Sequence, residues 1–490
     1  MMLAALVFAA CDTPLDGEDD ADYGTILDTQ TFWAQDLTLT DENYYELTAN
    51  LLAEGKYCKV WVEQGQESRV KFKTARGIAS EYDNNIYRKM INAFSIGKIK
   101  VPENLILNNT MEFADWMADG DGKLSILLLD IKDGASDQGA YVAGYFTPLN
   151  FFQDDPDDYR SNETDMIYLD TDPAVPGDGE SYQTLAHEMQ HLMNFVTSLV
   201  VRSDEKNLYL MDTWIDEGLS SVAEYIYKGS HVQERYEWYN KDPMGTIALG
   251  NNFLVWGNRQ DDSILDDYAT VYLFFQWLRL QASGGTVVYK DIIGSVYSGY
   301  AAIVGAIYWT NKWSDLLKAW LAANYVNASS GRYGYKNDAT LKTVKAKTAP
   351  AGTTSLQLLP GEGVYSMTES DGKPSDFISG TSGPNIGYFG LTNDNYGNMH
   401  DSKTYAGGVL VTYNKNAYIY ELKKENGYLT GVAASVGYQE QASASALRSG
   451  GRALPDGPFR IDARDMLARN GGGKAVPAKT LNTAGLSMNR

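Results

Sequence analysis

Two imidazoles four residues apart, with a carboxylate between them, are the part of this sequence best suited to chemistry. They lie in His187-Glu-Met-Gln-His191, within the run Thr184-Leu-Ala-His-Glu-Met-Gln-His-Leu-Met-Asn-Phe195. On a helix, residues four apart project from one face. Two neutral imidazoles so placed suit a tetrahedral zinc ion, which takes a third protein ligand and keeps a position for water. Glu188 stands one position round the helix, where a carboxylate can take a proton from an attacking water. The chain contains 4 histidines, and two are here. Apolar Leu185, Ala186, Leu192, Met193 and Phe195 mark the helix as buried. Burying two histidines and a glutamate with nothing to bind would be costly.

The third ligand decides the class of site. In the pattern H-E-x-x-H-x-x-G-x-x-H it would be a histidine on the same run, but the glycine and histidine positions hold Asn194 and Thr197. Acids downstream remain, and Glu217 stands out because Trp214-Ile-Asp-Glu-Gly-Leu-Ser opens a helical pattern just after a loop. In these two runs the sequence resembles the gluzincins, the thermolysin-like zinc peptidases. It is more closely similar to the hyicolysin family of secreted bacterial metallopeptidases and related spirochaetal lipoproteins. The likeness covers about residues 75 to 327. It implies zinc held by His187, His191 and Glu217, Glu188 as general base, and a protein or peptide substrate. Thermolysin-like enzymes often carry an aspartate four residues after the glutamate ligand, orienting a histidine; Ser221 stands there instead. Glu224, seven residues on and on the same helical face, can take that role, or can be an exposed helix charge.

The same resemblance guides the reading of two further elements. Tyr268 opens the run Asp266-Asp-Tyr-Ala-Thr-Val-Tyr-Leu-Phe-Phe, in a place similar to the family's Tyr-Gly/Ala-x-x-Tyr-Leu-Phe. A tetrahedral oxyanion commonly needs a phenol or imidazolium donor besides the metal, and Tyr268 is the candidate. Tyr272, one turn on, is its rival, and His231 in Lys228-Gly-Ser-His is an outside candidate. Ala143-Gly-Tyr-Phe146 reads either as the edge strand along which such enzymes bind extended substrate or as a core strand.

Composition bounds the rest. At 490 residues the chain can hold two or three domains with sizeable cores. Its 44% hydrophobic and 12% aromatic content excludes wholesale disorder. A formal net charge of −22 disfavours nucleic acid, since no basic groove is offered to phosphates. Ala9-Ala10-Cys11 resembles a bacterial lipobox at the end of an export signal (residues 1–11), followed by an acidic tether (12–29). Lipid on Cys11 is then the expected link to a membrane, in a cell-envelope lipoprotein or secreted protein. With Cys11 acylated, Cys58 has no disulfide partner and reads as a small buried hydrophobe.

The elements that must position the site follow from periodicity. Residues 30–74 read as a small β module with a turn at Gly55. Ile78, Tyr82, Ile86, Met90 and Phe94 form one helical stripe ending near Gly97. Asp119-Gly-Asp-Gly-Lys123 looks calcium-like, but an EF-hand would need acids where Met117 and Leu128 stand, so a tight turn is expected. Strands over 124–131, 141–146 and 165–170 lead to the histidine helix. Helices over 266–280, with Asp266 as cap, and 313–324 follow. From residue 350 to 440, runs at 353–359, 385–391 and 409–422 predict a β-sandwich-like C-terminal domain. The tail 441–490 is rich in Gly, Ala, Ser and Arg.

The expected architecture is therefore α+β. A gluzincin-like catalytic domain over 75–340, a small sheet lobe plus a helical lobe, is flanked by a β-rich N-terminal module and the C-terminal β domain. The expected activity is a zinc endopeptidase. The alternatives are an envelope binding lipoprotein on an inactive peptidase scaffold and a zinc amidase of cell-wall peptides.

Overall fold

A computed structural model describes residues 24–39, 43–97, 121–134, 141–152, 154, 156, 159–172, 175–202, 209–250, 253–254, 264–350, 353, 358–367, 385–391, 408–417, 421–425, 428–432 and 486–489. The expected signal and lipobox, residues 12–23 of the tether, and the tail other than 486–489 lie outside them.

Three strands open the chain: β1 (Asp28–Gln35), β2 (Tyr44–Glu54) and β3 (Cys58–Glu63). After a helical excursion come β4 (Leu124–Leu129), β5 (Tyr141–Phe146) and β6 (Met166–Asp170). Together with β12 (Leu486–Asn489) they form one seven-stranded sheet, ordered β1-β2-β3-β4-β6-β5-β12. The strands expected as a separate module over 30–74 are thus part of the larger sheet, because β3 pairs in parallel with β4. The β4–β6 pairing is parallel as well. The Leu124–Leu129 run is buried at every position, as expected of a strand covered on both faces. Val60, Ile126, Leu128, Ile167 and Leu169 face the helices. Trp61, Leu127, Leu129, Met166 and Tyr168 join Phe32, Leu47 and Leu51 on the other face. Cys58 is fully buried.

The β3–β4 crossover contains α1 (Phe72–Glu81) and α2 (Tyr87–Phe94), joined by a π turn over Tyr82–Ile86. A stripe repeating every fourth residue drifts round a helix of 3.6 residues per turn. The wider π turn offsets that drift, and Ile78, Tyr82, Ile86, Met90 and Phe94 are all buried.

After β6 the chain is helical: α3 (Gly179–Val201), α4 (Thr213–Lys228), α5 (Gln233–Lys241), α6 (Ile264–Gln281), α7 (Val287–Ile293), α8 (Tyr300–Ala306) and α9 (Trp313–Val326). Asp178 caps α3 by accepting from the backbone N–H groups of Glu180 and Ser181, both at 3.1 Å. Asp266 does not cap α6 as expected. It lies within the first turn and accepts from the Trp238 indole and the Thr246 hydroxyl, tying α6 to α5. Among the described residues, no helix is long and apolar enough to cross a membrane.

Among the described residues, the C-terminal strands differ from a sandwich. β7 (Gly363–Met367), β8 (Ile386–Leu391) and β9 (Val409–Asn414) form a three-stranded sheet, while β10 (Glu421–Glu425) and β11 (Tyr428–Val432) form a two-stranded one. Tyr365, Phe389 and Val411 join the core built by the helices, and the Tyr365 hydroxyl donates to the Leu321 carbonyl at 2.7 Å. A face already packed on helices needs no second sheet.

The expectation of a free edge at Ala143–Phe146 is not met. β5 pairs antiparallel with β6 on one side and with β12 on the other. Its Gly144 has a packing reason: a Cβ there would lie 2.8 Å from the Tyr168 carbonyl and 2.9 Å from the Thr184 methyl. That close approach seats α3 on the sheet one turn before Glu188.

Candidate metal centre

α3 and α4 run antiparallel, joined by polar pairs at one-turn intervals. His187 meets Glu224, His191 meets Ser220 and Asp216, and Asn194 meets Asp216. This ladder sets the register in which Glu217 faces the two imidazoles. The Glu217 Oε2 lies 3.5 Å from His187 Nε2 and 3.7 Å from His191 Nε2. Ligand atoms about 2.0–2.2 Å from a tetrahedral ion stand roughly 3.3–3.6 Å apart, so the three groups fit a zinc-sized ion. Both Nε2 atoms are buried and make no hydrogen bond. Among the described residues, these three form the group that could hold a metal ion.

The environment prepares them for a cation. Burial pushes the His187 imidazole down to about 4, against the weaker upward pull of its Glu224 hydrogen bond, so the ring is neutral at neutral pH. Its Nδ1–H donates to Glu224 at 2.8 Å, which leaves the Nε2 lone pair facing Glu217. His191 Nδ1 lies 2.9 Å from Asp216, which orients it the same way. Burial, then the neighbouring Asp216 and Glu188 charges, push the Glu217 carboxyl well above the usual carboxylate range. A divalent ion would relieve that crowding of acids. Burial would also raise Glu224, but Arg235 and His187 outweigh it and hold Glu224 below its ordinary value.

Of the residues singled out in the sequence, His187, Glu188, His191 and Glu217 converge here and are buried. Tyr268 is buried beside them, its ring centroid 6.2 Å from that of His187 and the Arg235 guanidinium 4.5 Å over its face. Burial and the Glu217 charge push its phenol well above the ordinary tyrosine range, so it stays a donor. Tyr272 is engaged elsewhere, accepting from the Val232 N–H at 3.1 Å and meeting His231 Nδ1 at 2.9 Å. His231 uses its other nitrogen on Asp338.

The Ser221 hydroxyl is buried without a hydrogen-bond partner, and Glu224, a turn later, reaches His187 instead. Asp216 and Arg235 were not singled out from the sequence. The signal for Asp216 was its adjacency to Glu217, which lets neighbouring acids serve the ion and a histidine. Arg235 gave none, because it enters from α5. Removing the orienting acids should weaken zinc binding about 10–100-fold for each of Glu224→Gln and Asp216→Asn, measured by competition with a chelator.

Gly218 fixes the opposite side of α4. A Cβ there would lie 2.3 Å from the ring of Phe275 in α6, which is fully buried. Gly218→Ala is therefore expected to destabilise the fold by about 1–3 kcal/mol in a denaturant titration, and to lower zinc affinity by displacing the adjacent Glu217.

No family model matches the chain. Over 275 residues it is 32% identical to a protein named neutral metalloprotease ShpI from Staphylococcus hyicus. The alignment covers 55% of this chain and 55% of that protein, so the chain spans about half the length of this relative.

Proposed function

We propose that this protein is a zinc-dependent endopeptidase. The observation that carries the reading is a pair of buried imidazoles whose unbonded Nε2 atoms face one carboxylate at 3.5 and 3.7 Å. A relative named as a metalloprotease supports the substrate class.

In this reading His187, His191 and Glu217 hold the ion, which supplies Lewis acidity and lowers the pKa of water. Glu188 takes the proton from the attacking water and returns it to the departing amine nitrogen. Tyr268, kept protonated by burial, donates to the oxygen that gains charge as the carbonyl carbon becomes tetrahedral. Arg235 holds Glu224 in its ionised form and packs on the Tyr268 ring, so one guanidinium steadies both sides of the site. Beside it a cavity of about 340 Å³, lined by Thr184, Glu224, Val232, Arg235, Trp238 and Leu265, offers room for a substrate side chain.

Zinc content measured beside cleavage of fluorescein-labelled casein tests the reading. A zinc-loaded chain should cleave casein, lose activity on chelation and regain it with zinc. A zinc-loaded chain that leaves casein and unstructured peptides intact, yet cleaves muropeptides, would replace endopeptidase with amidase.

A further inference from the structure

Behind the second histidine the polar contacts run on past the acid that orients it. One Asp216 carboxylate oxygen lies 2.9 Å from His191 Nδ1, and the other accepts from the Asn194 side-chain amide. The Asn194 Oδ1 in turn accepts from Nη2 of Arg202 at 3.2 Å. Arg202 is fully buried, just past the end of α3. It also donates to the Ser198 hydroxyl at 2.6 Å and to the Ile293 and Ser295 carbonyls at 2.8 and 2.7 Å, at and just past the end of α7. Asp216 is the charge that offsets the burial of this guanidinium. Asn194, Ser198 and Arg202 repeat every fourth residue, so α3 presents all three on one side. Asn194 stands where the pattern H-E-x-x-H-x-x-G-x-x-H has glycine, which has no side chain to make either bond.

We propose that Asn194 and Arg202 are positioning residues for the metal centre, acting through Asp216 on the tautomer and aim of His191. The effect on the ion rests on the zinc reading above; the orientation of His191 does not. Hydrogen-bond polarity carries the argument. A guanidinium only donates and a carboxylate only accepts. An amide between them therefore satisfies both in a single orientation, oxygen toward Arg202 and nitrogen toward Asp216. With one oxygen held by the Asn194 amide, Asp216 presents the other to His191, whose Nδ1 must then carry the proton. That leaves the His191 Nε2 lone pair facing Glu217, as ligation of a cation requires. The Ser220 hydroxyl, 3.1 Å from the same Nδ1, cannot fix the tautomer, because a hydroxyl both donates and accepts. His187 is served by a shorter version of this arrangement: Glu224 accepts from its Nδ1, and Arg235 donates to Glu224 at 3.3 Å. Each imidazole is thus backed by an acid, and each acid by an arginine. On the His191 side the link also reaches the turn after α7, so one buried side chain ties that turn to the metal centre.

The test uses the full chain. Zinc affinity is measured by competition with a chelator, and the His191 tautomer is read from ring-nitrogen NMR shifts of the zinc-free chain labelled at its 4 histidines. Asn194→Ala removes both amide bonds but leaves Arg202 its Ser198 and α7 partners. It should weaken zinc binding about tenfold, the low end for loss of a group that orients a metal ligand, and turn a single His191 tautomer into a mixture. In a chain already carrying Asp216→Asn, the same change should lower affinity by less than about twofold, because the amide acts only through that carboxylate. Arg202→Lys keeps the charge and loses the planar fork. It should weaken zinc binding by a smaller factor than Asn194→Ala, again only while Asp216 is present. An unchanged His191 tautomer in Asn194→Ala would overturn the proposal; should that variant not fold, wild-type zinc affinity in Arg202→Lys would overturn it instead. Losses that multiply in full with that of Asp216→Asn would also overturn it, since they mark a role in packing alone. A chain that binds no zinc yet shows the tautomer change would refute the zinc reading and support the orientation of His191. The expected pattern of affinities in a chain that cleaves no casein would support the proposal and refute the peptidase reading.

Discussion

Glu188→Gln should leave the zinc stoichiometry intact while lowering casein cleavage about 10²–10⁴-fold, the range for loss of a positioned general base. The substitution keeps side-chain volume within a fully buried site, so packing around His187 and His191 is preserved. It removes the acceptor for the water proton and one of the two charges that crowd Glu217. The loss should fall on kcat, because the proton moves in the transition state and not on binding. Inductively coupled plasma measurement of zinc, beside steady-state kinetics, separates the possible outcomes. Wild-type activity with bound zinc would remove Glu188 from the chemistry. Loss of zinc would make it part of the ion's environment instead.

The part of the site that lies on a single helix was legible in the sequence, because helical geometry is local: His187, Glu188 and His191 are related by spacing alone. Glu217 needed a second helix to be recognised and a family resemblance to link the two. What the sequence could not display is register between helices. Asp216 and Glu217 are neighbours in the chain, yet one meets His191 at its Nδ1 side and the other faces Nε2. That division follows from how the α3–α4 ladder aligns Asn194, His191 and His187 with successive turns of α4.

The fold shows the same limit. The β character of residues 30–74 was legible, but membership of the large sheet depends on the parallel β3–β4 pairing across two intervening helices. Parallel partners leave no turn signal in the sequence. The covering of β5 by residues 486–489 was invisible for a related reason: four uncharged residues after a Gly-rich stretch carry no periodicity. The C-terminal strands at 386–391 and 409–414 were recognisable by composition, whereas the packing of their sheet against α9 was not.

Glu217→Gln separates a metal ligand from a merely buried acid, because its effect on stability should change with the ion. In the zinc-loaded wild type, free zinc at 100 times Kd adds about 2.7 kcal/mol to the unfolding free energy. An amide is a poor substitute for the carboxylate, so the variant should gain little from the same zinc and should cleave no casein. Without zinc the order should reverse. Wild-type Glu217 is then a buried carboxyl beside Glu188 and Asp216, and burial and those charges both disfavour its ionised form. The neutral amide avoids that penalty, so the zinc-free variant should unfold at equal or higher denaturant than zinc-free wild type. Parallel urea titrations with and without zinc measure both halves. A variant destabilised equally in the two conditions would mean that Glu217 serves packing, and would take the metal away from this pair of helices.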